Sequence, residues 1–321
     1  MSGDSSIFES AATLLRAHPR QFDEHRYVYP VLSRRAGGIS IGVNLNVDQI
    51  CNFHCIYCQV QRIEGKRGQS PFAGTARRRA PTRSVGRRTN GDCPLFPVDL
   101  ARLAEELDRT VELAASGRIF QETRFRATPA PLRRLNDIAL SGDAEPTSSP
   151  QFAEAVAVCA EVRRRRQLDD VKLVLITNAS LLDREVVERG LKILDANNGE
   201  IWAKLDAGTE DYYRQVARST VQWPRILDNL RRAAIERPIV VQSLFMRIHG
   251  EPPPAAELEA YCDRLHEIVA VGGRIKLVQV HTVARSPAEP WVAPLPPAEV
   301  DALAELVRRR TGLSVAAFYG H

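Results

Sequence analysis

"VKLVLITNASLLDREVVERGLKILDANNGEIWAKLDA", residues 171–207, decides how the chain is to be read. It opens on the nearly continuous apolar run VKLVLITN (171–178) and closes on a second, EIWAKLDA (200–207). Runs with so little polar alternation suit strands covered on both faces. Between them DREVVERGLKIL (183–194) carries its apolar residues at helical spacing. Strand, helix and strand in that order make the crossover unit of a parallel sheet.

The same alternation extends in both directions. Further strands are predicted at GISIGVNL (38–45), DIALSG (137–142), PIVVQSLFMRI (238–248) and RIKLVQVHTV (274–283). VDLARLAEELDRTVELAASG (98–117) places Leu100, Leu103, Leu107 and Val111 on one helical face, with Gly117 as a stop. QFAEAVAVCAEVRRRR (151–166), PRILDNLRRAAIE (224–236), AAELEAYCDRLHEIVA (255–270) and PAEVDALAELVRRR (297–310) follow the same logic. Six strands, each followed by helical sequence, predict an α/β fold with right-handed crossovers. Six units are too few for a closed eight-unit barrel, so an open, partial (βα)6 barrel is expected over 38–290. Spacing alone leaves a doubly wound sheet open. Residues 1–37, with the aromatic and basic stretch EHRYVYPVLSRR (24–35), form an N-terminal extension, and 291–321 a C-terminal helix and tail.

The chain of 321 residues is 44% hydrophobic and 26% charged, as a globular protein should be. Its net charge of +5 is unevenly spread. Residues 65–92 hold eight Lys or Arg against the single acid Asp92, a local charge of +7 that leaves −2 for the rest. That stretch is also rich in Gly, Ser, Thr and Pro and cannot bury enough apolar surface to order itself, so it reads as a mobile basic insertion. No apolar run approaches the roughly 18 residues of a membrane span. The opening MSGDSSIFESAATLLRAHPR (1–20) carries acids early and no apolar core, unlike a signal peptide. A cytoplasmic protein without membrane contact is expected, and the clustering of its cysteines suits a reducing compartment.

Three of the six cysteines, Cys51, Cys55 and Cys58, lie in CNFHCIYCQV (51–60) directly after the first predicted strand. A C-x3-C-x2-C loop can wrap three thiolates around one corner of a cube-shaped iron–sulfur cluster. Full ligation takes four thiolates, so one iron would stay open to an external ligand. The alternative is a zinc knuckle completed by His54 or a distant ligand, although zinc knuckles favour a second ligand pair downstream and none is present. Cys159 and Cys262 fall among apolar helix neighbours and read as small core residues. Cys93 borders the insertion.

This loop resembles the signature of the radical S-adenosylmethionine (radical SAM) superfamily. The resemblance implies a [4Fe–4S] cluster on Cys51, Cys55 and Cys58, with S-adenosylmethionine (SAM) chelating the fourth iron. Reductive cleavage of SAM then yields a 5′-deoxyadenosyl radical that takes hydrogen from a substrate. Tyr57 matches the superfamily's aromatic position near adenine. SGDAEPT (141–147), ending the second strand, resembles the Gly-Gly-Glu-Pro element, which places Ser141, Gly142, Asp143, Ala144 and Glu145 at the methionine moiety. Ala144 stands where glycine is usual, and since alanine tolerates positive φ poorly a strained turn is expected there.

Polar residues at strand ends complete the candidate site. Lys204 is expected near the SAM carboxylate, Asn178 and Asp206 near ribose or substrate, Gln242 in the cofactor pocket, and His281, with Lys204, at the reacting substrate. SGDAEPTSSPQF (141–152) followed by LVLITNASLLD (173–183) is most similar to the branch containing wyosine-type tRNA-modifying enzymes. A peptide or small-molecule substrate is favoured, because the body outside the insertion is nearly neutral. RNA modification, with the 65–92 insertion tracking phosphates, is the alternative. A non-catalytic metal-containing RNA-binding protein is the reading from another class. The resemblance also implies a low-potential electron donor, a ferredoxin or flavodoxin.

Overall fold

The computed structural model describes residues 20–60 and 97–320. The insertion at 65–92, Cys93 and the start of the N-terminal extension lie outside the described residues. The strands are β1 (Val28–Ser33), β2 (Gly38–Val43), β3 (Leu135–Leu140), β4 (Lys172–Thr177), β5 (Gly199–Lys204), β6 (Ile239–Ile248), β7 (Ile275–Thr282), β8 (Val292–Pro294) and β9 (Val315–Phe318). The helices are α1 (Leu100–Ala115), α2 (Phe152–Arg165), α3 (Glu185–Asp195), α4 (Glu210–Ala217), α5 (Trp223–Glu236), α6 (Ala255–Ala270) and α7 (Pro297–Thr311). Among the described residues no helix is long and apolar enough to cross a membrane.

All six expected strands and their following helices form. They join one sheet in the order β1-β2-β3-β4-β5-β6-β7-β9, with β8 paired to β6. From β2 to β9 the neighbours are parallel, whereas β1 and β8 are antiparallel additions. A doubly wound sheet reverses its strand order part-way, and this one does not. The architecture is the open partial barrel. The sheet must also curl: laid flat, eight strands about 4.8 Å apart would separate β1 from β9 by roughly 34 Å. Yet Leu32 and Ser33 of β1 and Phe318 of β9 line one small cavity.

The elements the sequence did not disclose have weak local signals. β1 contains Pro30, which a strand accepts only where no ladder donor is needed; β1 is an edge and pairs with β2 alone. β9 (VAAF) is short and small-residued. α4 is short and polar, and it begins where the Thr209 hydroxyl accepts the Tyr212 N–H at 3.3 Å. The helices press their apolar faces on the sheet's outer face: Leu103, Leu107 and Val111 of α1 are fully buried, each worth about 1.5–3 kcal/mol of transfer free energy. Cys159 and Cys262 are core residues as expected, both fully buried.

Candidate functional site

Parallel strands bring their C-terminal ends to one rim, and the cysteine loop grows from the end of β2. Between the cysteines, Phe53, Ile56 and Tyr57 turn inward and are buried, leaving Cys51, Cys55 and Cys58 half-buried. Two loop amides satisfy carbonyls that the end of α4 cannot use itself: His54 N donates to Ala217 O and Ile56 N to Val216 O, both at 3.0 Å. Asn52 fastens the loop to the end of β4. Its amide donates to Ser180 Oγ at 2.7 Å and accepts from Asn178 Nδ2 at 2.9 Å. Asn178 therefore holds the cysteine loop, while still bordering the central cavity.

Residues 141–145 form the next part of the rim. A Cβ on Gly142 would lie 2.4 Å from Asn44 Oδ1 and 2.9 Å from Asn44 Cα, so only glycine allows β2 and β3 to end this close. Asn44 then donates to Asp143 Oδ2 at 2.7 Å, and Asp143 also accepts from Arg20 Nη1 at 2.6 Å. Ser141 Oγ meets the Tyr29 hydroxyl at 3.2 Å. Glu145 is buried, and its carboxylate accepts from Thr147 N, Thr147 Oγ1, Thr177 Oγ1 and Asn178 N at 2.6–3.2 Å. Burial raises the Glu145 carboxyl above its ordinary value, against the pull of these donors. The strain expected at Ala144 is absent. Ala144 is not among the residues with positive φ; the alanine that is left-handed is Ala179, at φ 62°, just after Asn178.

Across the rim, Lys204 Nζ lies 3.3 Å from the Tyr57 hydroxyl and 5.0 Å from its ring centroid. Tyr57 donates to Asp206, whose other oxygen accepts Leu244 N at 2.8 Å. Asp206 lines a neighbouring small cavity with Phe53 and Tyr213 and does not line the central one. It positions the tyrosine. Gln242 donates to Gln279 at 3.0 Å inside the barrel. His281 is buried, and its conjugate acid is pushed well below the ordinary histidine value by burial and then by Arg35 and Lys204, so it is a neutral imidazole.

One cavity of about 250 Å³ collects the three cysteines, Tyr57, residues 141–145, Asn178, Lys204, Gln242 and His281. Three groups that sequence reasoning missed, Arg20, Arg35 and Arg285, share it. Their only sequence signal was the basic SRR (33–35) and the arginine that follows the last long strand.

The donor set fits an iron–sulfur cluster. Burial pushes the Cys55 thiol up to about 12; Lys204 opposes this and the neighbouring Cys58 and Cys51 add to it. Three thiolates in one place call for a cationic metal to hold them deprotonated. Among the described residues no three His, Cys, Asp or Glu side chains gather as a single-ion site would need. A tetrahedral zinc would draw its sulfurs within about 4 Å of one another, whereas a cube gives each thiolate its own iron.

No protein-family model matches the sequence, and no curated protein does. Solved structures do. A structure described as "Structure of TYW1 with a lysine-pyruvate adduct bound" is 14% identical, with 95% of this chain and 89% of that one covered and a TM-score of 0.51. The chain shares the α/β partial-barrel fold of that structure. An archaeal TYW1 is 14% identical over 70% of this chain and 67% of its own, with a TM-score of 0.42. At such identities the likeness concerns fold alone.

Proposed function

We propose that the protein is a radical SAM enzyme acting on a small polar molecule or peptide. The observation that carries this reading is the convergence, on one cavity, of the three-cysteine loop, the 141–145 strand end and Lys204. Cys51, Cys55 and Cys58 would hold a [4Fe–4S] cluster. The rim at 141–145 would receive the methionine moiety of SAM, and Lys204 its carboxylate. When bound, cluster and SAM supply a 5′-deoxyadenosyl radical for hydrogen abstraction.

The chain's own residues do the positioning. Asn52, Asn178 and Ser180 hold the cysteine loop to β4, and Glu145 ties the ends of β3 and β4 together. Asp206 fixes Tyr57 beside Lys204. His281, neutral and facing the cavity, can accept or donate a hydrogen bond to substrate. The low-potential electron would come from a ferredoxin or flavodoxin.

Anaerobic reconstitution with iron and sulfide, then dithionite and SAM, is expected to release 5′-deoxyadenosine. A reconstituted cluster without that release would contradict the proposal. The RNA-modifying alternative draws on the fold shared with TYW1 and on the basic composition of 65–92. It predicts salt-sensitive RNA binding that is lost when 65–92 is deleted; RNA binding unaffected by the deletion would remove its main support.

A further inference from the structure

The open seam of the barrel concentrates positive charge that the described residues neutralise only in part. Arg34 and Arg35 occupy the turn between β1 and β2, and Arg285 lies just beyond β7. Their partners are neutral. Arg285 Nη1 donates to Gln59 Oε1 at 3.0 Å, and Arg35 Nη1 faces His281 Nε2 at 3.4 Å. Among the described residues, Arg34 Nη1 and Arg285 Nε are buried with no hydrogen-bond partner. These guanidinium groups surround a cavity of about 80 Å³, and Arg35, Gln59, Leu244, His281 and Arg285 also face the central cavity. Burial and then Arg34 lower Arg35 to about 10 against the pull of Asp137, and burial and then Arg35 lower Arg285 to about 9, as expected of like charges held together. Buried guanidinium N–H groups are costly to leave unmade, so such a cluster suits an oxyanion ligand.

Charge decides which oxyanion. Asp137, the acid that acts on Arg35, is already bonded to Ser40 and offsets one charge at most. Two charges remain, which matches a phosphate monoester near its dianionic form. A carboxylate supplies one, and so does each internal phosphodiester of RNA. A cavity of about 80 Å³ also has room for one terminal phosphate rather than for a run of nucleotides.

We propose that the seam binds the phosphate of a small phosphorylated substrate, held by Arg34, Arg35 and Arg285 beside His281, with the rest of the molecule in the central cavity. This rests on the radical SAM reading only in taking that cavity as the reaction site.

The test is thermal unfolding of the full-length protein, at constant ionic strength, titrated with inorganic phosphate, acetate or chloride. Phosphate should raise the unfolding midpoint saturably, and acetate and chloride should not. Arg35→Gln and Arg285→Gln should each weaken the half-saturating phosphate concentration by about tenfold or more, since each removes a charged hydrogen-bond donor. Arg285→Lys, which keeps the charge and loses the fork, should fall between. Acetate acting as strongly as phosphate would overturn the dianion assignment. SAM displacing phosphate would give the site to the cofactor, and a short RNA protecting more strongly than phosphate would give it to a polymer; either overturns the proposal, as would variants that titrate like the wild type. 5′-Deoxyadenosine release by the wild type needs no phosphate and the midpoint shift needs no cluster, so either reading can fail while the other holds.

Discussion

The corner of the cavity between β3 and β4 and the seam between β1 and β7 are built on opposite terms. At the corner, Glu145 meets four donors, Asn44 spans to Asp143, and Asn52, Asn178 and Ser180 satisfy one another. At the seam, two buried guanidinium atoms have no hydrogen-bond partner among the described residues, and the neighbours of Arg35 include Arg34 and a neutral imidazole. A saturated network holds its shape with or without ligand, as a pre-formed cradle should. An unsaturated one keeps its binding capacity in reserve. The difference separates the residues that position from those that recognise.

The sharpest break of this comparison is at the metal. Cys55→Ser should abolish the iron signal of reconstituted protein; a full-strength signal would remove Cys55 from the ligand set. Next is the corner itself. Glu145→Ala strands two buried backbone N–H groups, so urea unfolding should show a loss of about 3–4 kcal/mol. If the loss is under about 1 kcal/mol, the corner is held by something else.

Asp137 comes third. Burial raises its carboxyl to about 6 from an ordinary 3.8. A raised acid favours the native state while protonated, so its contribution is fully present below pH 3.8 and is lost as pH rises through about 6. The penalty at neutral pH is about 3 kcal/mol at most. Asp137→Asn should therefore stabilise the protein above pH 6 and flatten its stability between pH 4 and 6; an unchanged pH profile would contradict the assignment. Gly142→Ala, which drives a methyl group into Asn44, should cost about 1–3 kcal/mol in the same unfolding assay. The smallest effect belongs to Ala144→Gly. With no positive φ to relieve, it should cost about 0.5–1 kcal/mol of stability and leave SAM affinity unchanged in a titration.

Much of this was legible in the chain. The strand at 171–178 and the helix at 183–194 declare themselves because burial pattern is a local property, readable at periods of two and 3.6 residues. The cysteine loop was legible for the same reason, since its three thiols fall within a stretch of eight residues. β1 was not, because Pro30 and the flanking arginines hide an edge strand. The roles of Asn178 and Asp206 were also hidden. Both sit at strand ends where ligands are expected, yet one spends its amide on Asn52 and Ser180 and the other its carboxylate on Tyr57 and Leu244.

By itself the sequence determined which segments become strands and helices, and that three cysteines share one loop at a strand's end. Only the tertiary structure decided that Arg34 and Arg35 face His281 and Arg285, some 250 residues further along, because that meeting depends on how far the sheet curls. Curl arises from twist accumulated over eight strands. No single segment encodes it, so a site built across the seam leaves no spacing in the sequence to be found.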